Sequence, residues 1–499
     1  MTFGRKLGLS TASILTAAVI LTGCGAGPSA GPKEDITWMA MLHTPMTPPA
    51  DAGIEAELEE LSGLDLTFEW IPAASASEKL NAAIAADSLA DIVSLPNITD
   101  SATRRALTSG QFWDIEKYLS EFPNLSQIDP ERIEGARIDG KLFGVPVQST
   151  KARYGAIVRQ DWLDNLGLEV PHTIEELSEV ARAFTDDDPD GNGKDDTTGF
   201  YDRSESFLVG FRSLSGYFGA GSEFELTGDD DVVASFTSDA FKEAMEWYRG
   251  MYEDGAVNSD FVTVQKQNQK DGIAQGKGGI VITGLFDAKN YASLAESADP
   301  DSPMTWTLIN DLTYEDVPRR ILTDTNGGVS GWFAIPKSEV ESEADLRVVL
   351  GFMDTLLTED AFSLMTNGIE DVHFEFDEDG AVETIDMPLW EQEVQPHSSS
   401  RMSDSVVRYP NANEYVDEAN ALMDENAEYV VTNVAQSLTS PTYDTRWTQV
   451  QQSAQDAYNK YIVGQLEMSD YEEIVDDLLA GDLGKIQDEY TAAYADVHG

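Results

Sequence analysis

From residue 36 onward the chain alternates short, continuously apolar runs with longer stretches whose apolar residues recur every three or four positions. The first pattern is that of buried strands, the second that of helices with one face on a core. Ile36-Thr37-Trp38-Met39-Ala40-Met41-Leu42 predicts a strand, 52–61 a helix, 66–71 a strand, 77–86 a helix and 91–95 a short buried strand closed by Pro96. Such a βαβαβ opening places the carboxyl ends of parallel strands along a crevice. Residues 237–252 predict an amphipathic helix, capped by Thr237 or Ser238, with Phe241, Met245, Tyr248 and Tyr252 on its apolar face. Further helices are expected at 342–357, 469–479 and 484–494. The whole is an α/β pattern, and no internal repeat interrupts it.

The first 23 residues differ. Arg5 and Lys6 precede an apolar run through Leu7, Ile14, Leu15, Val19, Ile20 and Leu21, which is too short for a comfortable membrane span. The run ends in Leu21-Thr22-Gly23-Cys24, similar to a bacterial lipobox, in which small residues admit a signal peptidase and the thiol carries lipid. Residues 1–23 therefore read as a lipoprotein signal peptide and Cys24 as the lipidation site. The Gly-, Pro- and Ser-rich stretch that follows makes 24–35 a flexible tether. No later stretch is apolar and long enough to span a bilayer, so the expected attachment is the lipid anchor alone, on the extracellular face of a bacterial membrane.

Composition narrows the function. A chain of 499 residues exceeds what one core usually organises, and 41% apolar residues suffice for two large lobes. Ninety acidic residues against 32 basic ones leave a formal charge of −58, a field that repels nucleic acid. A single cysteine excludes an internal disulfide and any multi-thiolate metal site.

The most distinctive chemistry is Asp188-Pro189-Asp190-Gly191-Asn192-Gly193-Lys194-Asp195-Asp196-Thr197. Oxygen-bearing residues alternate at positions one, three and five with glycine at six, as in the first half of an EF-hand loop, and hard Ca²⁺ prefers such oxygen cages. Lys194 can contribute only its backbone carbonyl. Position twelve holds Gly199 instead of a bidentate Glu, so a plain EF-hand is not expected. Catalytic signatures are lacking: there is no G-x-S-x-G elbow, H-E-x-x-H pair or phosphate-binding Gly-rich loop. The five histidines show no metal-ligand spacing. A two-carboxylate glycosidase remains the enzymatic alternative, but no acidic pair is singled out.

Several segments together resemble the larger solute-binding lipoproteins of ABC importers, the branch with alginate- and other oligosaccharide-binding members. They are Asp139-Gly140-Lys141-Leu142-Phe143-Gly144-Val145-Pro146, the run Ile157–Leu168 with Pro171 and Thr173, Ala274-Gln275-Gly276-Lys277, and Asn367-Gly368-Ile369-Glu370-Asp371-Val372-His373-Phe374. Asp371 stands where the family usually has a second glycine. The resemblance implies a type II periplasmic-binding-protein-like fold of two hinged lobes, at 36–147 plus 332–370 and 148–331 plus 371–499. It implies a monomer without enzymatic activity that captures an oligosaccharide, or alternatively a peptide or other solute, and hands it to importer permease subunits. It also implies a shortened, structural calcium loop built from Asp188, Asp190, Asn192, Lys194 and Asp196, with Thr197 beside it. Ligand-binding residues are expected where strands end or the chain crosses between lobes: His43, Asn97, Gln148, Tyr154, Phe286 (where sugar-binding relatives often carry tryptophan), Trp332 and Trp390.

Overall fold

A computed structural model describes residues 33–498 apart from 45, 51, 97–100, 324, 326 and 412. Cys24 and Asn97 lie outside the described residues. Strands β1 (Asp35–Leu42), β2 (Asp65–Pro72), β3 (Ile92–Leu95) and β4 (Gly144–Gln148) build the first sheet. The chain then forms β5 (Tyr154–Arg159), β6 (Thr198–Phe200), β7 (Gly278–Gly284) and β8 (Trp306–Ile309), and returns as β9 (Val329–Ala334). The first sheet has the order β2-β1-β3-β9-β4, with β1 parallel to β2 and β3, and β9 antiparallel to both its neighbours. The second has the order β8-β5-β7-β6.

Each sheet organises its own core. In the first, Trp38, Phe333 and Phe352 pack edge to face, with centroids 5.3 and 6.1 Å from Trp38, and the Trp38 indole donates to Ser94 Oγ at 2.9 Å. Lys33 and Thr37 pin β1 to its neighbour through Asp91, whose carboxylate accepts from Thr37 N at 2.8 Å and pairs with Lys33 at 2.7 Å. In the second, Phe211, Phe241, Tyr248 and Tyr458 form an aromatic cluster beneath the sheet. The helix Ile174–Asp186 enters it through a complete capping box of Thr173 and Glu176. The helix Asp239–Glu253 is capped by Ser238 and buries Phe241, Met245 and Tyr248, as its periodicity predicts; Tyr252 packs against the edge of the core.

The lobes meet where the end of β4, the start of β9 and the segment 402–404 come together. Gln148 N donates to Met402 O at 2.8 Å, Asp404 N to Gln148 O at 3.1 Å, and Ser149 N to Gly328 O at 2.8 Å. Gly327 and Gly328 have φ of +62° and +90°, and a Cβ on Gly328 would meet Ser149 O at 3.0 Å, so this crossing needs glycine. The resemblance assigns everything after 370 to the second lobe. Val394 and Met402 nevertheless sit in the first core, because the segment 387–398 folds back on the helix Glu359–Asn367. In the turn after that helix Asp371 takes φ +64°, doing with a short polar side chain what a glycine would do there. Among the described residues no helix is long and apolar enough to cross a membrane.

Candidate functional site

Between the lobes lies a cavity of 380 Å³. Pro96, Val329 and Ser330 form its first-lobe wall, at the ends of β3 and β9. The second lobe supplies aromatic rings (Phe207, Phe236, Phe241, Trp447) and polar groups (Arg153, Arg212, Glu223, Asn433, Gln451). Trp447 comes from the helix Tyr443–Ile462, where Tyr443, one turn earlier, stacks on it at 5.2 Å and 20°. Phe236 lies nearly parallel to it on another side, with centroids 6.3 Å apart.

Glu223 organises the polar side. It accepts from Trp447 Nε1 at 3.1 Å and from Asn433 Nδ2 at 2.8 Å, so three distant segments are joined at one carboxyl. Burial pushes this carboxyl up from the usual range, and the Arg212 guanidinium partly opposes that shift. Its φ of +55° is a left-handed conformation rarely held by a long side chain, a strain typical of binding sites. Arg212 Nη2 donates to Ser222 Oγ at 2.7 Å and also to Thr323 O. Flat aromatic faces surrounded by amide, carboxyl and guanidinium groups suit a ligand with apolar ring faces and hydroxyl rims.

Of the residues expected from sequence, none of those described is in the lining of this cavity. Tyr154 opens β5 opposite Gly284, and Phe286 lies just beyond the end of β7, 42% exposed. The Arg153 guanidinium is 5.8 Å from the Tyr154 ring and 5.7 Å from the Phe286 ring, and Arg153 itself lines the cleft. His43 follows β1 and lines a second, smaller cavity in the first lobe. The surrounding walls desolvate its ring and push the imidazole down from its usual value. Gln148 is buried and spent on structure, its Oε1 accepting from Arg132 Nη1 at 2.9 Å. Trp332 is 1% exposed, with its indole donating to Ala136 O at 2.8 Å, which places it in the first core instead of the cleft. Trp390 is also turned inward, its Nε1 donating to Thr366 O at 3.0 Å against the same core. The sequence reading missed Trp447, Phe207, Phe236, Arg212 and Glu223. The Tyr443/Trp447 pair at helical spacing was the one local signal available.

The acidic loop follows the helix Ile174–Asp186 and borders a pocket that shares no lining residue with the interlobe cavity. Asp188, Gly191 and Gly193 have φ of +46°, +65° and +76°, so the loop winds tightly. Asp188 Oδ2 accepts from Gly193 N at 3.0 Å, while its Oδ1 is buried without a partner. Asn192 Nδ2 donates to Asp190 Oδ2 at 2.7 Å and Asp196 Oδ1 at 3.0 Å. The Thr197 hydroxyl is turned inward, donating to Phe184 O at 2.9 Å. Among the described residues no three Asp, Glu, His or Cys side chains are gathered as a metal cage.

Comparison with known proteins agrees with this architecture. The profile of the bacterial extracellular solute-binding protein family matches residues 43–361. The polygalacturonan/rhamnogalacturonan-binding protein of Bacillus subtilis is 33% identical over 491 residues, covering 96% of this chain and 97% of that protein. The lipoprotein LipO of the same organism is 26% identical over 475 residues, 92% of this chain and 93% of its own. Among solved structures, an EF-hand mutant of the Streptococcus pneumoniae ABC-transporter substrate-binding protein FusA, in complex with fructo-nystose, superposes with a TM-score of 0.66. Its identity is 18%, over 93% of this chain and 99% of that one, a likeness that shows the shared type II two-lobe fold. This chain is a member of the bacterial extracellular solute-binding protein family.

Proposed function

We propose that this protein captures an oligosaccharide outside the cell and delivers it, unhydrolysed, to the permease of an ABC importer, while Cys24 holds it on the membrane through lipid. The observation that carries the reading is the interlobe cavity, with Trp447, Phe207 and Phe236 presenting ring surface beside Glu223, Asn433, Arg153 and Arg212. Sugar rings present apolar faces that bury against aromatic walls, and their hydroxyls exchange water for amide, carboxyl and guanidinium partners. The names of the relatives, one a polygalacturonan/rhamnogalacturonan-binding protein and another solved with fructo-nystose, support the same class of ligand. Closure of the lobes about the crossing at 148–150, 327–329 and 402–404 would exclude water and present one closed surface to the permease. Among the described residues lining the cleft the one carboxyl group, Glu223, is committed to Asn433 and Trp447, and a lone carboxyl favours binding over two-carboxylate glycosidic catalysis.

The acidic loop fits calcium by its donor chemistry. The oxygens of Asp188, Asp190, Asn192 and Asp196 and the carbonyl of Lys194 would hold the ion, and the unpartnered Asp188 Oδ1 is the atom that most lacks a cation. Bound there, calcium would neutralise crowded carboxylates and brace the loop.

Isothermal calorimetry against a panel of plant and bacterial oligosaccharides, with chromatography of the recovered glycans and X-ray scattering of the same mixtures, tests the main reading. Binding without shortening of the glycan, together with a smaller radius of gyration, is expected. A panel that fails beside a peptide pool that binds would transfer the role to peptide capture, and shortened products would make the protein an enzyme.

A further inference from the structure

At Pro96 and Ser330, which belong to both walls, the interlobe cavity meets the smaller cavity of the first lobe. This second space measures 170 Å³, room for one sugar ring, and sits at the carboxyl ends of β1 and β3. Its walls are apolar at Met41, Leu95 and Phe333, and polar at His43, Ser400 and Arg401.

Arg401 is the unusual member. Its Nε donates to Ser398 O at 2.9 Å and its Nη1 to Thr366 Oγ1 at 2.7 Å, both neutral acceptors, and among the described residues its Nη2 has no hydrogen-bond partner. Its Cζ lies 5.2 Å from the centre of the Phe362 ring. Burial pushes the guanidinium down from its usual value, and Asp404 is the acid whose field opposes this, without forming an ion pair. Some other arginines with little exposure are matched to acids, Arg159 with Asp161 at 2.5 Å and Arg319 with Glu425 at 2.7 Å, while Arg132 and Arg320 use neutral acceptors as Arg401 does. In a chain with 90 acidic and 32 basic residues, a desolvated guanidinium with no carboxylate of its own is costly unless something else supplies the anion. The guanidinium fork is shaped for a carboxylate, and an Nη2 with no partner is the group that would receive it.

Building on the oligosaccharide reading, we infer that this first-lobe cavity is a subsite for an acidic sugar residue, whose carboxylate is received by Arg401 while its hydroxyls meet His43 and the neighbouring serines. The rest of the chain extends past Pro96 and Ser330 into the aromatic cavity. Long-range repulsion from the acidic surface does not forbid this, because at physiological salt it is screened within about 8 Å.

Calorimetry with trigalacturonate and its fully methyl-esterified counterpart isolates the carboxylate, since the two share ring and linkage. A charge-assisted hydrogen bond predicts a preference for the acid of about tenfold or more in the wild type. Arg401→Gln should bring the acid-to-ester ratio close to one. His43→Glu, on the exposed rim, should reverse the preference by facing the ligand with a like charge, and it tests the subsite even if Arg401→Gln does not fold. Equal binding of acid and ester by the wild type, or a ratio unaltered by His43→Glu, overturns the subsite and leaves the oligosaccharide reading standing. A complete absence of glycan binding removes that reading, and the subsite with it.

Discussion

His397 shows how one buried group can govern the acid limit of the fold. Its ring is fully enclosed, edge to face with Phe68 at 5.1 Å and Trp70 at 5.2 Å, and neither ring nitrogen finds a hydrogen-bond partner. Desolvation pushes its pKa down to about 4. An unfolded histidine binds its proton near pH 6.5, so between that value and about 4 the unfolded chain holds more protons than the folded one, and stability falls as pH falls. The full difference corresponds to about 3 kcal/mol, lost progressively through that window. His397→Phe keeps an aromatic ring without the titration. Its urea midpoint should move little at pH 7 and should exceed that of the wild type clearly at pH 4.5. Equal losses in both proteins between those pH values would clear His397 of this role. Trp332 teaches a related lesson. Ser330 lines the cleft, yet two residues further along β9 the chain is already inside the core, where the indole is held by Ala136 O. A tryptophan near a crossover reads the same in sequence on either side of that boundary.

Among the elements, the loop 188–196 was the most legible and owes least to the rest of the fold. Its turns are set by Asp, Asn and Gly over consecutive residues, so spacing alone identifies it. The structure adds that Thr197 is committed to Phe184 O, leaving Asp196 as the last side chain of the loop able to turn to an ion. If calcium binds there, saturation at a hundred times its dissociation constant stabilises the folded state by about 2.7 kcal/mol. Chelator should then lower the melting temperature of the wild type, and Asp190→Ala should abolish that response. A wild-type melting curve indifferent to both calcium and chelator would remove the metal. The turn at 368–371 was read from a glycine pattern that this chain only half keeps. Gly368 is required because a Cβ there would lie 2.7 Å from the His373 side chain, whereas Asp371 holds its left-handed conformation without glycine.

On the scale of the whole molecule, the proposed lipid anchor at Cys24 would hold the two lobes at the membrane and leave the cleft free to open and close. Cys24→Ser should release the protein into the medium or leave its leader uncleaved, as read by membrane fractionation and intact mass. A serine variant that is processed normally and still pellets with membranes would refute the lipid anchor. Strands, helices and their alternation were determined by the sequence alone, because apolar periodicity is a local property that each segment carries with it. The order β2-β1-β3-β9-β4 followed less directly, since β9 is inserted by a return more than 180 residues after β4. Only the tertiary structure decided which side chains line the cleft. Phe207, Glu223, Asn433 and Trp447 are brought together by packing across distant segments, and Arg401 is left on neutral acceptors without an ion pair, a relation visible only once the chain has folded.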